Sequence, residues 1–161
     1  MFRHILCPVD GSNTSLQALE LAARLAEEQH ARLTICMAVD AAKAAAMAFG
    51  DPGMTGAAYN ALYDEARASL ASISALVTPV APDQMLVEGA PVEAIVECAS
   101  KRGCDLIIIG SHGRSGIKRA LLGSVAEGVV RTAAVPVMVV RRGSVVKRFS
   151  QLEIAAGNRA S

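Results

Sequence analysis

The chain contains no tryptophan, and its aromatic side chains amount to three phenylalanines and two tyrosines in 161 residues. Any core must therefore be built from valine, isoleucine, leucine and alanine. Charge of one sign is also missing. The formal net charge is +1, so no overall field draws the protein to nucleic acid or to anionic lipid. No apolar stretch approaches the roughly 20 residues needed to cross a bilayer, which argues against a membrane partner. The opening "MFRHILCPVDGS" runs straight into a strand-like segment without the layout of a signal peptide, so a cytoplasmic location is the expectation. The cysteines at 7, 36, 98 and 104 form no C-x-x-C pair and match no common zinc spacing; they read as reduced and structural. Two phosphate motifs are absent as well. Without G-x-x-x-x-G-K-[ST] the chain is not a P-loop ATPase, and without G-x-G-x-x-G after the first strand an ordinary dinucleotide fold is not expected.

Hydrophobic residues make up 52% of the chain and charged residues 19%, the balance of a globular protein, and the length suits a single domain. "RHILCPVD" is a short apolar run ending in Pro-Val-Asp. A helix follows, capped by Ser12 or Asn13, with Leu16, Leu19, Ala23 and Ala26 at helical spacing. "RLTICMAVD" is a second strand, apolar almost throughout, as strands buried on both faces are. Residues 41–56 break the rhythm. Their first half is alanine-rich, and Gly50, Pro52, Gly53 and Gly56 read as loop. Residues 57–78 form a helix with Leu62, Ala66, Leu70, Ile73 and Val77 on one face. "QMLVEG" is a third strand, and Pro91 opens a helix whose inner stripe is Val92, Ile95, Val96 and Ala99. "CDLIIIG" is the fourth strand, 124–133 a last helix, and "VPVMVVRR" a fifth strand. His4 and His30 read as surface residues at element ends. Strand and helix alternate throughout, which argues for an α/β fold: a five-stranded parallel sheet with helices on both faces. Ligands of such sheets bind at the carboxyl ends of strands. The positions to inspect are therefore 8–12, 38–40, 88–91 and 110 onward.

The most unusual of these is "GSHGRSGIKRALLGS", which follows the fourth strand at 110–124. Backbone N–H groups in a glycine-rich turn can converge on an anion, and the N-terminus of the next helix adds unpaired donors and a favourable dipole. Gly110 and Gly113 permit close backbone approach, and Gly123 a tight turn onto the helix. Ser124 can cap that helix and offer a hydroxyl to a phosphate. Arg114, Lys118 and Arg119 could add positive charge, or simply solvate an exposed turn. Asp10, after the first strand, could accept ribose hydroxyls or hold a divalent cation beside phosphates; equally, it could begin an Asx-turn and cap the first helix. His112 lacks a nucleophile or carboxylate partner in the sequence, so no catalytic residue is assigned.

The spacing G-x2-G-x9-G-[ST] over Gly110, Gly113, Gly123 and Ser124 resembles the ATP-binding signature of the universal stress protein family. "HILCPVDGS", "VEGAPVEAIVECA" and "PVMVVRR" resemble the family's opening strand, its third strand with the helix after it, and its closing strand. The resemblance covers about residues 2–142. It implies a family domain at 1–142 and a C-terminal extension at 143–161, read as partly disordered or as a short docking segment. The implied fold is Rossmann-like, of the adenine nucleotide alpha hydrolase type, with strand order 3-2-1-4-5. Also implied are a homodimer through the strand at 136–141 and ATP as ligand, bound with Mg²⁺ or Mn²⁺. Pro8, Val9 and Asp10 would line adenine and ribose, and the Ala38 backbone would meet the adenine edge. Gly110, His112, Gly113, Arg114, Gly123, Ser124 and Val125 would surround ribose and phosphates, with Gly89 bordering the pocket. The function so implied is a dimeric stress-response regulator, with at most slow ATP hydrolysis, acting on an unknown protein partner. Two alternatives stand beside it. One is a slow ATPase or self-phosphorylating enzyme, and the other an AMP-binding or nucleotide-independent interaction module. An unpaired apolar edge at "VPVMVV" favours pairing with a second copy on physical grounds alone.

Overall fold

The structure, a computed structural model, describes residues 1–40, 52–78, 80–112, 122–141 and 143, without the side chains of 52–55. Five strands form one sheet in the order β3-β2-β1-β4-β5: β1 (His4–Pro8), β2 (Arg32–Val39), β3 (Asp83–Glu88), β4 (Leu106–Gly110) and β5 (Val137–Val140). Every neighbouring pair is parallel, with Ile5 opposite Leu33 on one side of β1 and opposite Leu106 on the other. The helices are α1 (Asn13–Gln29), α2 (Pro52–Ser74), α3 (Pro91–Arg102) and α4 (Ser124–Thr132).

The apolar runs behave as expected for strands covered on both faces. All five residues of β1 and all five of β4 are buried. Alternation then splits them between two cores. Ile5, Cys7, Leu106 and Ile108 pack with Leu19, Ala22 and Ala26 of α1 and with Ala66, Leu70 and Ile73 of α2. Leu6, Cys36, Ile107 and Ile109 pack on the opposite face with Ile95 and Ala99 of α3 and Ala126 and Val129 of α4. Each fully buried aliphatic side chain contributes about 1.5–3 kcal/mol, so a core almost without aromatics is sufficient. All four cysteines are free and buried in these layers. Burial pushes the Cys7 thiol up, and the Cys104 thiol up to about 11. A hydrogen bond between the Cys36 and Cys98 thiols raises the first and lowers the second to about 7, inside a layer that solvent barely reaches.

Two local readings change and one alternative is settled. Pro52, Gly53 and Gly56 are not loop: α2 begins at Pro52, where a proline's missing N–H has no partner to lose. Local propensity is overridden there by the face that α2 lays on β2 and β3. Ser12, not Asn13 or Asp10, caps α1, its side chain accepting from the Ser15 N–H. His4 is not a surface residue. It is 5% exposed, its Nδ1 lies 3.0 Å from the Arg102 carbonyl and its Nε2 2.8 Å from Thr34 Oγ1. His30 is exposed and takes the left-handed conformation that ends α1.

The His4 contacts dictate a tautomer. A carbonyl only accepts, so Nδ1 carries the proton, and Nε2 accepts from the Thr34 hydroxyl. Burial, helped by the Arg32 charge, lowers the pKa of His4 from its ordinary 6.5. Arg102 acts in the same sense; the Arg102 carbonyl and Asp83 oppose it. The Asp105 carboxylate, which accepts the N–H groups of Arg3 and His4, flanks the same end of the sheet. Between the folded pKa and 6.5 the unfolded chain binds the extra proton and the folded chain does not. The stability His4 contributes is thus complete above 6.5 and is lost as pH falls toward the folded value. Urea midpoints should therefore fall more from pH 7.5 to 5.5 in the parent protein than in His4→Gln. Equal falls would contradict the burial of a neutral imidazole.

Candidate functional site

A cleft of about 690 Å³ opens over the carboxyl ends of β1, β2 and β4. Strand order reverses between β1 and β4, the switch point where such sheets bind ligands. The floor comes from Pro8 at the end of β1 with Val9 and Asp10 after it, from Met37 to Val39 of β2 with Asp40 after it, and from Ile109 and Gly110 of β4 with Ser111 and His112 after them. One wall is the N-terminus of α4, Gly123 to Ala126, with Pro91 and Ile95 of α3 beside it. The other is the face of α2 carrying Ala58, Ala61, Leu62, Glu65, Ala66 and Ser69.

Local sequence explains the shape of the floor. Gly11 has φ 79°, in the left-handed region that glycine enters at no steric cost, and this reverses the chain between Asp10 and Ser12. Asp10 Oδ1 then accepts the Ser12 N–H at 3.0 Å and the Ser12 hydroxyl at 2.6 Å, an Asx-turn. Of the two sequence readings of Asp10, the Asx-turn is what these bonds form, and the residue also lines the cleft. Gly110 ends β4 directly beneath the first turn of α1. A Cβ there would lie 2.6 Å from the Thr14 carbonyl carbon and 2.7 Å from the Ser15 nitrogen. The close approach this glycine permits is therefore to the backbone of α1. Ser111, 1% exposed, is held on both sides, its N–H donating to the Val140 carbonyl at 2.8 Å and its carbonyl accepting from the Gly123 N–H at 2.7 Å. Its hydroxyl lies 3.0 Å from His112 Nδ1.

Gly123, with φ −70° and ψ 154°, occupies the N-cap of α4 in extended backbone open to any residue. The cap is thus Gly123 and not Ser124, which is the first helical residue. The first N–H groups of a helix have no intrahelical partner; here they belong to Ser124, Val125 and Ala126, which line the cleft. This is anion-binding chemistry: backbone donors at the positive end of a helix dipole.

The cleft thus brings together Pro8, Val9, Asp10, Ala38, Gly110, His112, Gly123, Ser124 and Val125. Gly89 is not among the lining residues; it follows β3 with φ 120°, its N–H bonded to the Val39 carbonyl at 3.1 Å. Gly113, Arg114, Lys118 and Arg119 lie outside the described residues. Among the described lining residues the charged side chains are the carboxylates of Asp10, Asp40 and Glu65. No three His, Cys, Asp or Glu side chains gather as a metal-ligand set among the described residues. A divalent cation at Asp10 would need phosphate oxygens as its other ligands, the manner in which Mg²⁺ is usually held. The α2 wall was not anticipated as part of a site. Its spacing at 58, 61, 62, 65, 66 and 69 is visible in the sequence, but an apolar helical stripe reads as core.

A wholly parallel sheet of order 3-2-1-4-5, helices on both faces and a cleft at the switch point define a Rossmann-like α/β protein. More narrowly, the chain belongs to the universal stress protein family, whose model matches residues 1–141. Universal stress protein MJ0531 of Methanocaldococcus jannaschii is 33% identical over 144 residues, covering 88% of this chain and 84% of its own. The solved structure of the protein MJ0577 is 30% identical with a TM-score of 0.78, over 90% of this chain and 99% of that one. A universal stress protein crystallised in complex with cAMP is 29% identical with a TM-score of 0.56, over 86% of this chain and 96% of that one. Among the described residues no helix is long and apolar enough to cross a membrane.

Proposed function

We propose that this protein is a cytoplasmic ATP-binding regulator of a stress response, working as a homodimer and hydrolysing ATP slowly if at all. The observation that carries this reading is the cleft. It joins the end of β1, the end of β2 and the helix N-terminus after the Gly110–Ser124 stretch in one space large enough for a nucleotide. Pro8, Val9 and Ala38 supply an apolar slot for adenine, and Asp10 an acceptor for ribose hydroxyls. The N-terminus of α4 receives phosphates, assisted by Gly113 and Arg114 and by Mg²⁺ or Mn²⁺ bound with the nucleotide. A family member holding cAMP supports an adenine nucleotide as the ligand class. The sequence holds no Walker motif with its phosphate-binding lysine, so rapid hydrolysis of the P-loop kind is not expected. Pairing of β5 with its mate in a second copy would cover an edge whose Met138 is 38% exposed.

The test is the identity of the nucleotide that travels with the protein. Native purification followed by denaturation and mass spectrometry of the released small molecules should yield ATP. Light scattering on the same sample should give twice the 16.7 kDa chain mass. AMP alone, or no nucleotide in protein that also fails to take up added ATP, would overturn the ATP reading; a monomer would remove the dimer.

A further inference from the structure

We propose that Gly128 is a positioning residue for the cleft: it lets α4 lie close against α3, and that approach places the N–H donors of the first turn of α4 where the ligand's phosphates are received. This inference rests on the nucleotide reading above. Gly128 stands in the middle of α4, in helical backbone that any residue can adopt. Glycine is a poor choice there, since alanine gives up less conformational freedom in a helix interior. Its neighbour on α3 accounts for it. A Cβ at 128 would lie 2.6 Å from Val92 Cγ2, 3.1 Å from Val92 Cγ1 and 3.4 Å from Val92 Cβ. Val92 belongs to the first turn of α3, and a valine in a helix is held to one strongly preferred χ1 rotamer. Its two methyl groups therefore set how near α4 can come.

The contact lies directly behind one wall of the cleft. Val92 follows Pro91 and comes one turn before Ile95, and both of those line the cleft. Gly128 comes one turn after Ser124 and Val125, which line it from α4. A wedge at 128 therefore parts the helix carrying Pro91 and Ile95 from the turn carrying the N–H groups of Ser124, Val125 and Ala126. Neither helix is free to slide away. Ile95 and Ala99 hold α3, and Ala126 and Val129 hold α4, in one buried layer. The Gly123 N–H is tied to the Ser111 carbonyl at 2.7 Å. Relief must come as a small rotation or shift at this joint, and hydrogen bonds weaken steeply when their donors are turned off line. The proposed adenine contacts, Pro8, Val9 and Ala38, sit at the ends of β1 and β2, on neither helix.

The experiment compares ATP and adenosine binding by calorimetry in the full chain, in Gly128→Ala, in Val92→Ala and in the double variant, with a urea midpoint for each. Where the heat of adenosine is too small, its affinity is read from displacement of ATP. Gly128→Ala should weaken ATP about tenfold and adenosine by less than about twofold. The double variant should return ATP to within about threefold of the parent. Alanine at 92 removes both methyl groups and leaves only the Cβ, 3.4 Å away, in ordinary contact. Val92→Ala by itself should also hold ATP within about threefold of the parent. Parental ATP affinity in Gly128→Ala, an equal loss of both ligands, or a double variant as weak as the single one would overturn the assignment. Should Gly128→Ala fail to fold, Val92→Ile, which enlarges the other side of the same contact, decides on the same ratio. If the parent protein binds neither ligand, the nucleotide reading itself fails and this inference with it; parent binding with an unmoved ratio removes this inference alone.

Discussion

Gly110→Ala should cost the fold about 3 kcal/mol, the upper end of what overpacking a tight contact costs. The added methyl would sit 2.6 and 2.7 Å from the carbonyl carbon and oxygen of Thr14 and 2.7 Å from the Ser15 nitrogen. Those are backbone atoms of a helix whose Leu19, Ala22 and Ala26 are locked into the core on β1 and β4. No flexible side chain can swing aside, so either α1 or the end of β4 must move. In a chain of this length each kcal/mol is worth about 2–4 °C of Tm, so a fall of roughly 10 °C is expected in a thermal scan read against the urea midpoint. An unchanged midpoint would mean that α1 glides over β4 and that the contact fixes nothing. Nucleotide affinity in the surviving folded fraction should drop as well, since Thr14 and His112 meet at the same turn.

Ser124→Glu should separate binding from stability. The residue is exposed at the first position of α4 and lines the cleft. A carboxylate in a first helical turn is favoured by about 0.3–1 kcal/mol through the helix dipole, so the variant should be as stable as the parent or slightly more so. The same carboxylate occupies the place proposed for phosphate. Like charges brought together at a binding surface cost several kcal/mol, and ATP affinity should fall by more than about thirtyfold. Adenosine, which has no phosphate, should be held nearly as before. Ser124→Glu with parental ATP affinity would move the phosphates away from α4.

Much of this architecture was legible from residue type alone. Runs such as "LIII" and "ILCP" are apolar at every position because both faces are covered, and that signal survives without any partner information. The order of the strands came from the resemblance, and the structure has it. What was misread depended on distant contacts. Gly53 and Gly56 argue for loop locally, yet α2 runs through them because residues further along pack on the sheet. His4 looks like the polar start of a strand, but Thr34 and the Arg102 carbonyl, far away in sequence, make a buried polar socket for it.

The cleft divides in the same way. Asp10, Ala38 and Gly110 were found because ligands gather where parallel strands end, a rule that needs only the strand boundaries. The purpose of Gly110 was not visible, since nothing in "LIIIG" says that the first turn of α1 will lie against it. The wall built by α2 hid behind a pattern shared with any amphipathic helix, and alanines at 58, 61 and 66 become site residues only when β2 lies opposite.

The central claim is that the cleft above β1, β2 and β4 binds ATP with its phosphates at the N-terminus of α4. It is tested most directly by titrating ATP and Mg²⁺ into nucleotide-stripped protein in a calorimeter, with Ser124→Glu measured in parallel. The account predicts saturable binding of one ATP per chain in the parent protein, lost in the variant while both chains show the same unfolding midpoint. A folded parent protein that gives no binding heat and no shift of midpoint with ATP, or a variant that binds ATP as the parent does, would contradict it.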